Sequence, residues 1–467
     1  MKSFLFKYKY HFLIIFVGLC CLEVLNFLLQ LDKQTLIYPD CTNYLESAQK
    51  MYLKFTGHYY RPMLMAFITG IPYLFGSSDG GIFEWSFVVN VFSWLGTSII
   101  LFEILKSFVK EKVAFWFAML PFFILGNIIL NYHLLTENIF VFFIILAFYL
   151  LFQYYKTAKF WYLSLSLSLV LSCMLIKPGA KFFGIFMLLF FVKEILKNYK
   201  HKSMIFLYGC LLMITIQVVG MKAQYGDFTI SYIDGVTYHN YICSKAECYK
   251  NGKQYEQINN PRAEYLFGLD FTDQKKLALE DLKQQIKTNF PNLVKAYFSD
   301  VIENSKTGNA CIEDLKNYES KSDFPFWKRL IFSITKWQNR IFTLLAILLS
   351  AMFLYKGYKQ RKATFFVAFF LAAFFLAGAF FFTAFLTAFL TAFFLATTFF
   401  FTTFAFFFTA FLTAFLAAAF FTTAFLAAAF FFTATFLTAA FFLAAGFFLV
   451  AFFDAVAMSH FSRVIDG

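Results

Sequence analysis

The chain has 467 residues, of which 60% are hydrophobic and 14% charged, and its mean hydropathy is +0.66. A soluble domain of that composition has too little polar surface to cover its core, whereas a chain solvated by lipid needs no polar shell. The net charge of +13 does not point to nucleic acid, because the Lys and Arg residues sit in short clusters between apolar runs, which is a topology signal.

In chain order, a basic start with Lys2, Lys7 and Lys9 precedes an apolar run over 12–31. The run is long for a signal-peptide core and ends without a small-x-small cleavage site, so it reads as an uncleaved first span. Further spans are expected at 85–105, 113–131, 138–155, 161–176, 182–196, 203–221 and 341–355. Basic clusters at Lys106/Lys110/Lys112, Lys156/Lys159, Lys193/Lys197/Lys200/Lys202 and Lys356/Lys359/Arg361/Lys362 occupy every second connection. The positive-inside bias then puts these loops and the N-terminus in the cytoplasm, and segments 32–84, 132–137, 177–181 and 222–340 on the opposite side. The expected class is an all-α polytopic membrane protein: a bundle over 1–221, an extracytoplasmic insert over 222–340, and an eighth span with its basic loop over 341–362.

From 363 to 453 the sequence is written almost wholly in Phe, Ala, Leu and Thr without a charge or a proline. It reads as a low-complexity apolar tract to which no function is assigned, before a C-terminal segment at 454–467 of ordinary composition. Cys20, Cys21, Cys173 and Cys210 lie in apolar spans and read as packing residues. Cys41, Cys243, Cys248 and Cys311 lie in polar segments and allow three pairings, with Cys243–Cys248 the local bridge and Cys41–Cys311 the remainder. No metal site is expected, since no second close cysteine pair or nearby histidine pair accompanies them.

Residues able to carry chemistry crowd the non-cytoplasmic side. Asp40 lies close beyond the first span, where a carboxylate can take a proton from an acceptor while a lipid substrate lies in the adjacent leaflet; capping of the following helix competes with that reading. Glu137 opens a span and either favours the helix dipole or serves a site. His133 beside it reads as a polar anchor or a substrate contact. Lys177 and Lys181 break the positive-inside trend. They either snorkel to lipid phosphates or hold an anionic substrate group, and Arg61 and Arg463 are similar cations.

These residues resemble a family. Asp40, Tyr44, Ala48, Gly57 and Arg61-Pro62, then Leu135-Thr136-Glu137, Ile176-Lys177-Pro178 and Tyr225-Gly226-Asp227-Phe228-Thr229-Ile230-Ser231, are similar in order and placement to GT-C superfamily glycosyltransferases. The likeness is to bacterial relatives of the dolichyl-phosphate-mannose protein mannosyltransferases and of the lipid A aminoarabinose transferase. It covers about 1–240, with a return at Ser462-Arg463. The resemblance implies a GT-C-like bundle in a bacterial inner membrane, with its active site on the outer face. The implied reaction transfers a sugar, with inversion, from a polyprenyl-phosphate-linked donor to a lipid, glycan or protein acceptor. It needs no cofactor. Asp40 is the implied base and Glu137 the second catalytic residue, with Tyr44, Arg61, His133, Lys177, Lys181 and Arg463 binding substrate. The chain departs from the family's frequent Asp-Glu pair at Asp40-Cys41, and the Phe-rich tract stands where later spans are expected. The competing readings are a transporter or flippase for lipid-linked sugars, and an inactive relative.

Overall fold

The computed structural model describes residues 7–34, 39–257 and 260–360. The tract at 363–453 and Arg463 lie outside the described residues. All regular structure among the described residues is helical. Four helices are long and apolar enough to cross a membrane: α1 (Lys9–Leu29), α3 (Asp79–Leu105), α6 (Glu137–Thr157) and α9 (Met204–Tyr225). Between α1 and α3 lies the polar helix α2 (Pro39–Leu53). A fifth crossing is made if the bent pair Glu111–Phe123 and Leu125–Tyr132, which includes α4 (Glu111–Ala118) and α5 (Leu125–Ile129), counts as one span. This is the architecture of an all-α multi-pass membrane protein. The expected spans at 161–176 and 182–196 are the shorter apolar helices Phe160–Leu175 and Pro178–Phe190, which contain α7 (Phe160–Ser172) and α8 (Lys181–Phe190).

The bend in the third span is 67°, and side chains from other helices help satisfy its freed backbone groups. Gln338 Nε2 donates to the Phe123 carbonyl at 2.7 Å, and the Leu125 amide donates to Gln338 Oε1 at 3.3 Å. Asn138 donates to Asn131 Oδ1 at 2.8 Å and to the Asn127 carbonyl at 3.3 Å. In an apolar medium an unmade backbone hydrogen bond costs several kcal/mol, so a break within an apolar span requires such side chains. Small polar groups also join the helices laterally: Ser166 Oγ of α7 donates to the Ala147 carbonyl of α6, and Cys210 Sγ of α9 donates to the Ser168 carbonyl.

After α9 comes the insert. A π-helical run (Val236–Cys243) leads into α10 (Ser244–Lys250), followed by α11 (Phe271–Thr288) and α12 (Phe290–Lys306). Lys245 is 4% exposed at its side chain and holds Asp300 at 2.6 Å and Glu303 at 2.5 Å, tying α10 to α12. The chain returns through α13 (Phe324–Gln360), which contains the expected span 341–355. The connection before α13 is zipped to the end of α1, where Gln34 and Lys316 exchange two hydrogen bonds through the glutamine amide.

No disulfide joins any of the eight cysteines, so the expected bridges Cys243–Cys248 and Cys41–Cys311 are not made. Cys243 and Cys248 follow one another along a continuous helical run, and the Cys243 thiol meets Asp281 rather than Cys248.

At Gly18 α1 lies close against its neighbours, since an added Cβ would meet Leu95 at 2.4 Å and Phe122 at 2.9 Å. Gly209 on α9 has open space instead. Gly18→Val is therefore expected to destabilise the bundle by about 1–3 kcal/mol through overpacking. In thermal unfolding of the detergent-solubilised protein its Tm falls, while Gly209→Ala leaves Tm unchanged or raises it.

Candidate functional site

Asp40 stands in the first turn of α2, a favourable place for a carboxylate beside the helix N-terminus. Its side chain is not spent on that dipole alone. Arg61 Nη2 donates to Asp40 Oδ1 at 2.5 Å, and Arg61 Nη1 donates to the Tyr44 hydroxyl at 3.4 Å. The guanidinium lies 4.5 Å over the Tyr44 ring, one turn along α2 from Asp40. The Tyr44 hydroxyl in turn shares a hydrogen bond with Thr136 Oγ1 at 3.3 Å, so one chain of contacts runs from α2 to the start of α6.

At that start, Lys177 Nζ donates to Glu137 Oε1 at 2.7 Å, with the lysine only 7% exposed. The other glutamate oxygen, Oε2, and Arg61 Nε are buried without a hydrogen-bond partner among the described residues. The two ion pairs interact across the site, Arg61 with Glu137 and Lys177 with Asp40. Two cations and two carboxylates therefore converge where α2, α6 and the Ile176-Lys177-Pro178 turn meet. Asp40 is the accessible member, 43% exposed at its side chain.

Burial works against the charge of Arg61, but Tyr44 and Asp40 more than offset it and hold the guanidinium pKa above its ordinary value. Burial raises the Tyr44 phenol to about 12, so it stays neutral. The Arg61 loop is held by His58, whose Nδ1 accepts the Tyr60 amide at 3.0 Å and the Arg61 amide at 3.1 Å. Burial lowers the His58 pKa to about 4, against the pull of Glu46. The neutral ring is the form that can accept those amides.

Lys181 is paired instead with Asp234 of the insert. His133 stays apart from the cluster. Its carbonyl accepts Asn90 Nδ2 at 2.9 Å, and neither ring nitrogen makes a hydrogen bond among the described residues. Burial lowers its pKa to about 4, which leaves the ring neutral.

The insert closes over this end of the bundle. The Tyr232 amide donates to the Tyr59 carbonyl at 2.9 Å, Ser231 Oγ to the Tyr60 carbonyl at 2.7 Å, and the Tyr225 hydroxyl to the Gly57 carbonyl at 2.7 Å. Tyr59 stacks on Phe271 of α11 with centroids 4.6 Å apart. Burial, and after it the charge of Asp40, raises the Tyr241 phenol pKa. Asp234, Tyr241, His58 and Thr136 were not among the expected site residues. Only their long-range partners mark Asp234 and Tyr241, whereas His58 stands inside the Gly57–Pro62 motif and Thr136 inside Leu135-Thr136-Glu137.

No His/Cys/Asp/Glu group suited to a metal ion occurs among the described residues. The chain matches no protein-family model, no curated protein sequence and no solved structure.

Two outcomes follow. Removing one partner of the buried pair leaves an uncompensated charge, so Lys177→Met is expected to cost about 3–5 kcal/mol; Glu137→Gln/Lys177→Met recovers much of it, as read by thermal unfolding. His58 sets a pH window. Between its ordinary 6.5 and about 4, the unfolded chain binds a proton that the folded chain refuses. Stability is therefore lost as pH falls through that window, by up to about 1.4 kcal/mol per unit, and is unaffected above it. Tm should decline more steeply from pH 6.5 to 4.5 in wild type than in His58→Asn, whose amide oxygen can accept the same backbone groups without titrating.

Proposed function

We propose that this protein is a membrane glycosyltransferase moving a sugar from a polyprenyl-phosphate-linked donor to an acceptor on the insert's side of the membrane, with inversion. The observation that carries the reading is the accessible Asp40 carboxylate, bonded to Arg61 and set beside the buried Glu137–Lys177 pair at the mouth of an apolar bundle. The order of motifs that resembles the GT-C superfamily supports it.

In this reading Asp40 accepts the proton of an acceptor hydroxyl or amine as that atom bonds to the anomeric carbon. The bond from that carbon to the phosphate oxygen breaks on the opposite face, and polyprenyl phosphate leaves with the electron pair. As Asp40 takes the proton it ceases to balance Arg61, whose charge is released toward the departing phosphate. Lys177 and Lys181 supply further fixed positive charge. The unpartnered Glu137 Oε2 accepts a substrate hydroxyl. The His133 ring is neutral, and both its nitrogens are buried without a hydrogen-bond partner among the described residues.

The transport reading has less support. Transporters place ionisable groups near mid-membrane, whereas the pairs described here stand at one end of the bundle. The His11–Glu103 pair at 2.8 Å lies toward the other end, beside the basic residue Lys106.

The test is turnover with a labelled polyprenyl-phosphate sugar, following release of polyprenyl phosphate. Wild type is expected to turn over, and Asp40→Asn to lose about 10²–10⁴-fold in rate while still binding donor, as loss of a general base does. Unchanged turnover in Asp40→Asn removes Asp40 as the base. Donor binding without turnover in wild type overturns the transferase reading.

A further inference from the structure

Helix α12 packs on α10, α11 and α13 within the chain. Leu293 and Ala296 pack on Cys243 and Ala246, Asp300 and Glu303 hold Lys245, and Val301 is buried. Beside these contacts runs a stripe of Val294, Phe298 and Ile302 at helical i, i+4, i+8 spacing, exposed by 36%, 44% and 50%. The exposed lysines Lys295 and Lys306 border one edge of this stripe, the Lys295 ammonium lying 4.5 Å from the Tyr249 ring.

The height of α12 is fixed by its C-terminal end. The Thr307 carbonyl accepts Asn339 Nδ2 at 3.1 Å, and the Asn309 amide donates to Thr335 Oγ1 at 2.9 Å. The same turn of α13 carries Gln338, which is bonded to the break in the bent apolar span. It also carries Trp337, 54% exposed with Arg340 stacked 4.9 Å from its ring. An exposed tryptophan with an arginine marks the membrane–water boundary, and the apolar run at 341–355 starts just beyond. Ile302 and Phe298 are five and nine residues before Thr307, about 8 and 14 Å at 1.5 Å per residue. Whatever the tilt of α12, Ile302 falls in or next to the headgroup layer, which is about 5–7 Å deep on each side of the hydrocarbon.

We propose that the Val294/Phe298/Ile302 face of α12 is a lipid-binding surface, dipped into the leaflet on the insert's side, with phospholipid acyl chains against the stripe and headgroup phosphates at Lys295 and Lys306. The insert is then anchored to the bilayer by its own helix as well as by the spans that flank it. This surface is independent of the reaction assigned to the site.

The test is photo-crosslinking of the full chain in phospholipid nanodiscs, with p-benzoylphenylalanine introduced singly at Phe298, Ile302, Leu212 or Lys276 and adducts identified by mass spectrometry. Leu212, 61% exposed on the span α9, is the lipid-facing reference, and Lys276, 67% exposed on α11, is the water-facing one. The expected result is phospholipid adducts at Phe298 and Ile302 in yields comparable to Leu212, with background yield at Lys276. A yield at both stripe positions no higher than at Lys276 overturns the proposal. Adducts to peptides of 363–453 or of a second copy overturn it equally, by showing that protein covers the stripe.

Discussion

Placing two positive and two negative side chains together at the end of an apolar bundle is costly. Each charge loses water as the helices pack, and only a close partner and further hydrogen bonds repay the loss. Arg61–Asp40 at 2.5 Å and Lys177–Glu137 at 2.7 Å meet that condition, and much else in the structure is arranged to keep them in place. Tyr44 supports Arg61 from below through its ring, and the neutral His58 gathers the backbone amides of the Arg61 loop. Four hydrogen bonds between Gly57–Tyr60 and Gln224–Tyr232 pin that loop to the exit of α9.

Such an arrangement is a poor way to gain stability. Apolar residues of similar volume would pack the same space at lower cost. A charge cluster with one exposed carboxylate, one unpartnered buried acceptor on Glu137 and one unpartnered buried donor on Arg61 is a more natural surrounding for a polar, ionisable substrate. The site's charges also cancel, so an incoming phosphate requires that a carboxylate give up a cation. In the sugar transfer proposed above, proton transfer to Asp40 does this at the moment the phosphate departs, which joins acceptor activation to leaving-group stabilisation.

The parts legible in the sequence are those set by local composition. Long apolar runs reveal α1, α3, α6 and α9 because lipid forces every residue of a span to be apolar or satisfied within the bundle. The 113–131 run reads as one span and does not disclose the bend: Pro121 and Gly126 sit at it, but its stability depends on Gln338 from more than two hundred residues away. The shortening of the helices around Lys177 has a local cause in Pro178, which cannot continue a helix with normal hydrogen bonding. At the site, Asp40, Arg61, Glu137 and Lys177 were each visible as a charge close to a span end. Their pairing was not, because no periodicity relates positions 40, 61, 137 and 177. Asp234 was beyond reach for the same reason. His133 shows the converse, since adjacency to Glu137 along the chain gives its ring no hydrogen bond to the ion pairs.

The central claim is that the two ion pairs form one site rather than two surface contacts. The most direct measurement is the coupling between Arg61→Gln and Lys177→Met in equilibrium unfolding of the solubilised protein, from the two single variants and the double. Shared electrostatics predict that the double variant departs from the sum of the singles by more than about 0.5 kcal/mol. Additivity within about 0.3 kcal/mol would show two independent pairs and contradict the account.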